Sequence, residues 1–410
     1  MLVANRHASR EPYPQALRDI LSIERAQESR RWLANWDLIH PGPTPLCSMK
    51  DLSAQLGVQR IWVKDESVRS PLGSFKALGA PIALARLILR LRPEAELNPR
   101  SLFAGAYRTA LADLTVISAT DGNHGRGLAA AARTVGCRCV IVLHANVSVE
   151  REDAIRSCGA QIVRVKGDYD ESVGEAARLA QVNGWHVVSD TSYEGYEDIP
   201  RDVMQGYGTI AAEIAETLPS DGPITHVLLQ GGVGGLAAGI VSYMWELHEA
   251  ARPTFVVVEP EQADCLYQSA LQGRPARATG SVDSVMAGLA CGETSPLAWK
   301  FLQCAADWFM TVKDEDAVEA MRSLAQGGPA DPPIVAGESG AAGLAGLIQL
   351  QRRPALAERV GLGPGSTVLL INTEGATAPS VYAQLVGETE AQVLLRQRRF
   401  LDQSRSIPTF

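Results

Sequence analysis

No two cysteines of this sequence are spaced Cys-x-x-Cys. The seven that occur, at 47, 137, 139, 158, 265, 291 and 304, are an odd number dispersed over 410 residues. That pattern supplies neither the ligand spacing of a zinc site nor the framework of a small disulfide-bonded domain. Reduced thiols in a cytosolic interior are expected. Long apolar runs are missing as well. None reaches the roughly 18 residues of a membrane-spanning helix, and the opening MLVANRHASREPYPQ has no apolar core of a secretion signal. Excess positive charge is absent too: the formal net charge is −8, which argues against a nucleic-acid partner. No repeat or low-complexity block interrupts the chain. What remains is a soluble, cytoplasmic protein. Its length exceeds one small core and points to two domains, or to a large α/β unit with a smaller lobe.

Short β-branched runs are what the sequence does have. RIWVK (60–64), TVISA (115–119), CVIVLH (139–144), QIVRV (161–165), HVVS (186–189), THVLLQ (225–230), TFVVVE (254–259) and TVLLIN (367–372) read as strands. Helical stretches such as GRGLAAAARTVG, ESVGEAARLAQ and GYGTIAAEIAETL lie between them. This alternation predicts parallel sheets covered on both faces, with ligands beyond the carboxyl ends of the strands. Segments 92–114 and 272–300 are less regular and suit lids, insertions or interface elements.

Four segments carry chemistry. QGGVGGLAAG (230–239) follows a strand and opens a helix. Close glycines let backbone N–H groups converge on an anion at a helix N-terminus, and a phosphate is the natural guest. Gly232, Gly234 and Ala237 also fit the dinucleotide pattern, with Glu259 where a ribose-binding acid would stand. A nicotinamide enzyme therefore competes at this point. In SATDGNHGRGLAAAA (118–132), Asn123 can donate to a ligand oxygen and Asp121 can exchange a proton; alternatively either one caps the helix. His124 alone reads as a structural histidine. In SDTSYEGYEDIPRDVMQGYG (189–208), Asp190 ends a strand, ahead of Glu194, Glu197 and Asp198. INTEGATAP (371–379) offers the hydroxyl of Thr373 at a strand end, or simply a turn.

Lys76 decides among these. It stands in PLGSFKALGA between Phe75 and a run of small residues, where an amine would be partly buried. A desolvated lysine loses its proton more readily and can form a Schiff base with an aldehyde. A phosphate-binding turn plus such a lysine suggests pyridoxal 5′-phosphate. A nicotinamide enzyme has no use for the lysine.

SFKALGA, DGNHGRGLA and GGVGG resemble the lysine, asparagine and phosphate motifs of the fold-type II pyridoxal-phosphate enzymes, the tryptophan synthase β and threonine dehydratase group. KDES, ATDGNHGRG, SDTSYEGYEDIPRDVMQGY, MAGLACGETSPLAW, GESGAAG and NTEG together are similar to the diaminopropionate ammonia-lyase family, in order from about residue 40 to residue 380. The resemblance implies a tryptophan synthase β-like α/β fold. Two domains would each have a mostly parallel sheet flanked by helices, with the active site between them. Residues 1–87 and 200–410 would form the large cofactor-binding domain and 88–199 the small one. Lys76 would carry the cofactor, flanked by Phe75. Gly231, Gly232, Val233, Gly234 and Gly235 would cradle its phosphate, Asn123 would hold the ring hydroxyl, and Thr373 would face the pyridine nitrogen.

The family's two catalytic carboxylates would fall on Asp121 and Asp190; the resemblance implies that they serve opposite faces of the α-carbon, which would let one site accept both D and L isomers of 2,3-diaminopropionate. Dehydratases of the group usually have a small hydroxyl residue at position 121. A carboxylate there would attract a β-ammonium, by about 4 kcal/mol at contact for an effective dielectric near 20, before desolvation. The implied reaction is elimination to pyruvate and two ammonia by a homodimer acting on a small amino acid, with no metal, nucleic acid or membrane involved. A Ser/Thr or hydroxyaspartate dehydratase, or a β-replacement synthase, is the neighbouring alternative; a catalytically dead binding protein is another. GGVGG departs from the GVGS-type loop of the family and lacks its serine hydroxyl, and the segment before ATDGNHG is irregular.

Overall fold

The computed structural model describes residues 1–120, 122–145, 147–167, 169–219 and 222–406. Eleven strands form two sheets among them. They are β1 (Leu2–Ala4), β2 (Leu46–Ser48), β3 (Arg60–Asp65), β4 (Thr115–Ala119), β5 (Arg138–Leu143), β6 (Gln161–Arg164), β7 (His186–Val187), β8 (His226–Gln230), β9 (Thr254–Pro260), β10 (Trp308–Val312) and β11 (Thr367–Asn372). The larger sheet has the order β1-β10-β9-β8-β11-β3-β2 and the smaller β6-β5-β4-β7. Only the edge strands β1 and β2 run antiparallel to their neighbours; every other pairing is parallel.

All eight strands expected from the sequence are present, with ends shifted by up to two residues. β1, β2 and β10 are additions. β1 and β2 have three residues each, too few to show a period. β10, WFMTV, follows the helix Pro296–Ala305 closely, just beyond the irregular segment 272–300.

The central strands are apolar on both faces because helices cover both. Val227, Leu229, Phe255, Val257, Leu369 and Ile371 enter one hydrophobic core, while Leu228, Val256, Val258, Val368 and Leu370 enter the other. The two-residue period of a strand sends alternate side chains to opposite faces. In the small sheet, Val116 and Ile141 join the first core and Ile117, Val140 and Val142 a separate one.

Three helices meet beside Lys76: Gly79–Leu91, Asn123–Val135 and Asp198–Thr217. Gly206 lets the third approach closely, since a Cβ there would lie 2.2 Å from the carbonyl oxygen of Leu78. A buried ion cluster braces the chain leading to the lysine. Glu213 accepts from Lys64 Nζ (2.6 Å) and Arg69 Nη2 (2.7 Å), and Arg69 Nε donates to Glu66 (2.7 Å), with all four side chains at most 2% exposed.

Candidate active site

Lys76 lies in a single 3-10 turn, Phe75–Ala77, that leads into the helix Gly79–Leu91. The preceding loop is tied to the end of β11. Phe75 N donates to Thr373 O (3.0 Å) and Gly375 N to Gly73 O (2.9 Å). Thr373 therefore sits beside the lysine turn, buried at the carboxyl end of its strand. Gly231–Gly235 follow β8, the neighbour of β11 on its other side.

The smaller sheet contributes from its own carboxyl ends. Chain leaving β4 reaches Gly122, the N-cap of the helix Asn123–Val135, and no side chain caps that helix. Asn123 is thus free of the capping role; its Nδ2 donates to Glu374 Oε2. Chain leaving β7 reaches Asp190. The carboxyl ends of both sheets open on one cavity of about 1010 Å³, lined by Phe75, Lys76, Asn123, Asp190, Gly231, Gly232, Val233, Gly235 and Thr373 among others. Asp121 lies outside the described residues. Gly234 turns the chain behind the wall with φ +100°.

Lys76 Nζ donates to Asp190 Oδ2, and each side chain keeps about a fifth of its surface open to the cavity (20% and 21%). Burial opposes the lysine's charge, but the facing carboxylate outweighs it and raises the ammonium above its ordinary range. Burial likewise opposes ionisation of Asp190, and the facing Lys76 ammonium outweighs it and brings that carboxyl below its ordinary range. Phe75 and Tyr207 flank the amine, with ring centroids 5.2 and 5.8 Å from Nζ. His124 combines a structural bond with a place in the site. Its Nε2 pairs with Val188 O at 2.9 Å, while Nδ1 lies 3.7 Å from Asp190 Oδ2. Burial first, and Lys76 next, hold the imidazole below its usual range despite the pull of Asp190. The neutral ring then carries its proton on Nε2 and presents the Nδ1 lone pair toward Asp190.

Backbone bonding sorts the glycine turn. Gly231 N donates to Val258 O and Gly234 N to Gly231 O. The N–H groups of Gly232, Val233 and Gly235 find no acceptor among the described residues, and the helix Gly235–His248 has no side-chain cap. Its free N-terminal donors line the cavity, the arrangement a phosphate requires. An amine, an amide donor, a neutral hydroxyl and an anion cradle converge on one space, so the donor set fits pyridoxal phosphate.

Glu259 is placed differently. It is fully buried and accepts from Leu266 N (2.9 Å) and Tyr267 N (2.7 Å), at the start of the helix Cys265–Gln272. Held there, it cannot serve a ribose in the cavity, and the dinucleotide pattern loses its acidic partner. Of the other acids in that region, Glu194 lines the cavity, Glu197 pairs with Lys300 (2.9 Å) and Asp198 with Arg201 (3.0 Å).

Several lining residues were not singled out from the sequence. Segment 272–300 is a wall of the site, contributing Arg274, Ala278, Gly288, Cys291 and Thr294. Glu374 and Ser339 stand next to Thr373 and Asn123; the motifs NTEG and GESGAAG contained both. Tyr207 belongs to the quoted MQGYG stretch.

Comparison with known proteins agrees with the geometry. The family described as pyridoxal-phosphate dependent enzyme matches residues 38–374. Diaminopropionate ammonia-lyase of Escherichia coli (strain K12) is 40% identical over 351 residues, spanning 84% of this chain and 87% of the relative. A crystal structure of the E. coli enzyme in complex with an aminoacrylate-PLP azomethine reaction intermediate superposes with TM-score 0.84 at 37% identity, covering 94% of this chain and 96% of that one. Another, in complex with D-serine, has TM-score 0.85 at 37% identity and covers 96% and 98%. Among the described residues no helix is long and apolar enough to cross a membrane. The chain belongs to the pyridoxal-phosphate dependent enzymes of fold type II and, within them, to the diaminopropionate ammonia-lyase family.

Proposed function

We propose that this chain cleaves 2,3-diaminopropionate by α,β-elimination, consuming one water and giving pyruvate and two ammonia, with pyridoxal 5′-phosphate as cofactor. The observation that carries this reading is the Lys76–Asp190 contact facing an uncapped glycine turn across one cavity. When bound, the cofactor supplies an electron sink for the pair left at the substrate α-carbon.

The chain's own residues do the rest. Lys76 would provide the amine that holds the cofactor aldehyde. Free N–H groups of Gly232, Val233 and Gly235 hold the phosphate. Asn123 donates to the ring oxygen. Thr373 offers a neutral hydroxyl to the ring nitrogen, which leaves that nitrogen unprotonated and the sink mild, suiting elimination over transamination. Phe75 packs beside the amine. Asp190, once Lys76 is engaged elsewhere, is a carboxylate without its cation. It can accept the α-proton of one isomer, and such positioned groups contribute roughly 10²–10⁴ in rate. Asp121 is assigned the opposite face and the attraction of the β-ammonium.

The proposal includes a cytoplasmic homodimer, with residues 88–199 as a small domain on the larger unit 1–87 and 200–410. Cys47, Cys137, Cys139, Cys158, Cys265 and Cys304 are free thiols, in keeping with the reducing compartment proposed.

The deciding measurement is pyruvate release from D- and L-2,3-diaminopropionate against serine and threonine, using holoenzyme and the Lys76→Ala variant. Diaminopropionate is expected to give the highest kcat/KM, and the variant neither visible cofactor absorbance nor product. Higher kcat/KM for serine or threonine would make the protein a dehydratase; unchanged absorbance in the variant would remove Lys76 from its role.

A further inference from the structure

Asn123 is assigned to the ring oxygen of the cofactor, yet an amide can present either of two ends. Its Nδ2 donates to Glu374 Oε2. Glu374 is 5% exposed and is itself held by Ser339 N, which donates to Oε1 at 3.2 Å, and by Thr377 Oγ1, 3.5 Å from Oε2. A Cβ on Gly337 would come within 2.9 Å of Glu374 Cγ, so the side chain has little room to turn. A carboxylate only accepts hydrogen bonds, and an amide carries two N–H groups on one nitrogen. With one N–H committed to Glu374, the amide orientation is set.

We propose that Glu374 is a positioning residue that locks the flip state of Asn123, so that its second N–H, and not its carbonyl, is available to the 3-oxygen of the cofactor ring. This rests on the assignment of Asn123 made above. The neighbourhood agrees. Glu338, 2% exposed, has no hydrogen-bond partner for Oε1 among the described residues, and burial followed by the negative charge of Glu374 pushes it up to about 7.

Glu374→Gln is the discriminating variant because it preserves shape. Its amide oxygen would stay on Ser339 N–H, its new NH2 would face Asn123, and Asn123 would have to turn its carbonyl to meet it. The holoenzyme's visible band, the pH at which that band titrates and the cofactor dissociation constant are the readouts, measured for Glu374→Gln, Asn123→Ala and the double variant. Thermal unfolding without cofactor checks the fold. Expected are a shifted band titration and about tenfold weaker cofactor binding in each single variant, the size of one hydrogen bond to a charged group. No further loss is expected in the double variant, since Glu374 acts through Asn123. If Asn123→Ala changes band and affinity while Glu374→Gln does not, or if the two effects add, Glu374 has no positioning role. If Asn123→Ala is itself silent, the assignment of Asn123 falls and this inference falls with it.

Discussion

Lys76 and Asp190 stand 114 positions apart in the chain, and the amine of one donates directly to the carboxylate of the other. The contact joins the loop fastened to the larger sheet with the loop that leaves the smaller one. It also holds the lysine as an ammonium in the cofactor-free protein.

The pair makes stability depend on pH in the cofactor-free protein. Asp190 is brought below its ordinary range, so its contribution is present above the usual carboxylate value and fades as pH falls through the depressed folded value. Lys76 is raised, so its contribution is present below the usual lysine value and fades as pH rises through the raised one. Asp190→Asn is expected to lower the unfolding temperature by a constant amount between about pH 5 and 9, and by less in acid. A penalty that does not shrink below pH 4 would mean that the ion pair is not its source.

Glu259 behaves in the opposite sense. Burial pushes this carboxyl up to about 8, against the help of the Leu266 and Tyr267 N–H groups. The folded state thus holds a proton that the unfolded chain releases, and stability falls as pH rises from the usual carboxylate range to about 8. Glu259→Gln, neutral throughout, is expected to be less stable than the parent at pH 5, and the gap should narrow by pH 8.5. Urea midpoints at the two pH values read this directly, and a constant gap would place the carboxyl in its charged form.

Glu213 holds two buried cations. Removing its carboxylate leaves Lys64 and Arg69 without the acceptor they share, a loss typically of about 3–5 kcal/mol when a buried pair is broken. Glu213→Ala should therefore lower the urea midpoint strongly, and cofactor affinity with it, because Arg69 precedes the lysine loop. A loss under about 1 kcal/mol, the scale of exposed pairs, would show that water reaches the cluster.

Much of the site was legible because its parts are local. Lys76 among small residues, the glycine turn after THVLLQ and the Asn123 turn each announce their chemistry within a few residues. Glu374 was passed over although it follows Thr373 directly, because an acid in a turn is usually solvated; here the Gly337 and Ser339 backbone closes over it. Glu259 misled for the same reason in reverse. Its spacing from the glycines suits a ribose, and only packing reveals a buried helix cap. Segment 272–300 has no period to read, yet its irregular backbone forms a cavity wall.

Alternation of β-branched runs with helices by itself determined the parallel α/β architecture, since a strand buried on both faces must be apolar along its length. Residue chemistry determined the cofactor class: an amine, an anion-binding turn and neutral donors suffice to specify it. Tertiary structure alone decided which groups meet. It set Lys76 against Asp190, turned Asn123 to Glu374 rather than to a helix cap, and left three of five turn residues with N–H groups that find no acceptor among the described residues. Those outcomes depend on how two sheets face one another across more than a hundred residues, and side-chain direction at that range is fixed by packing rather than by any local pattern.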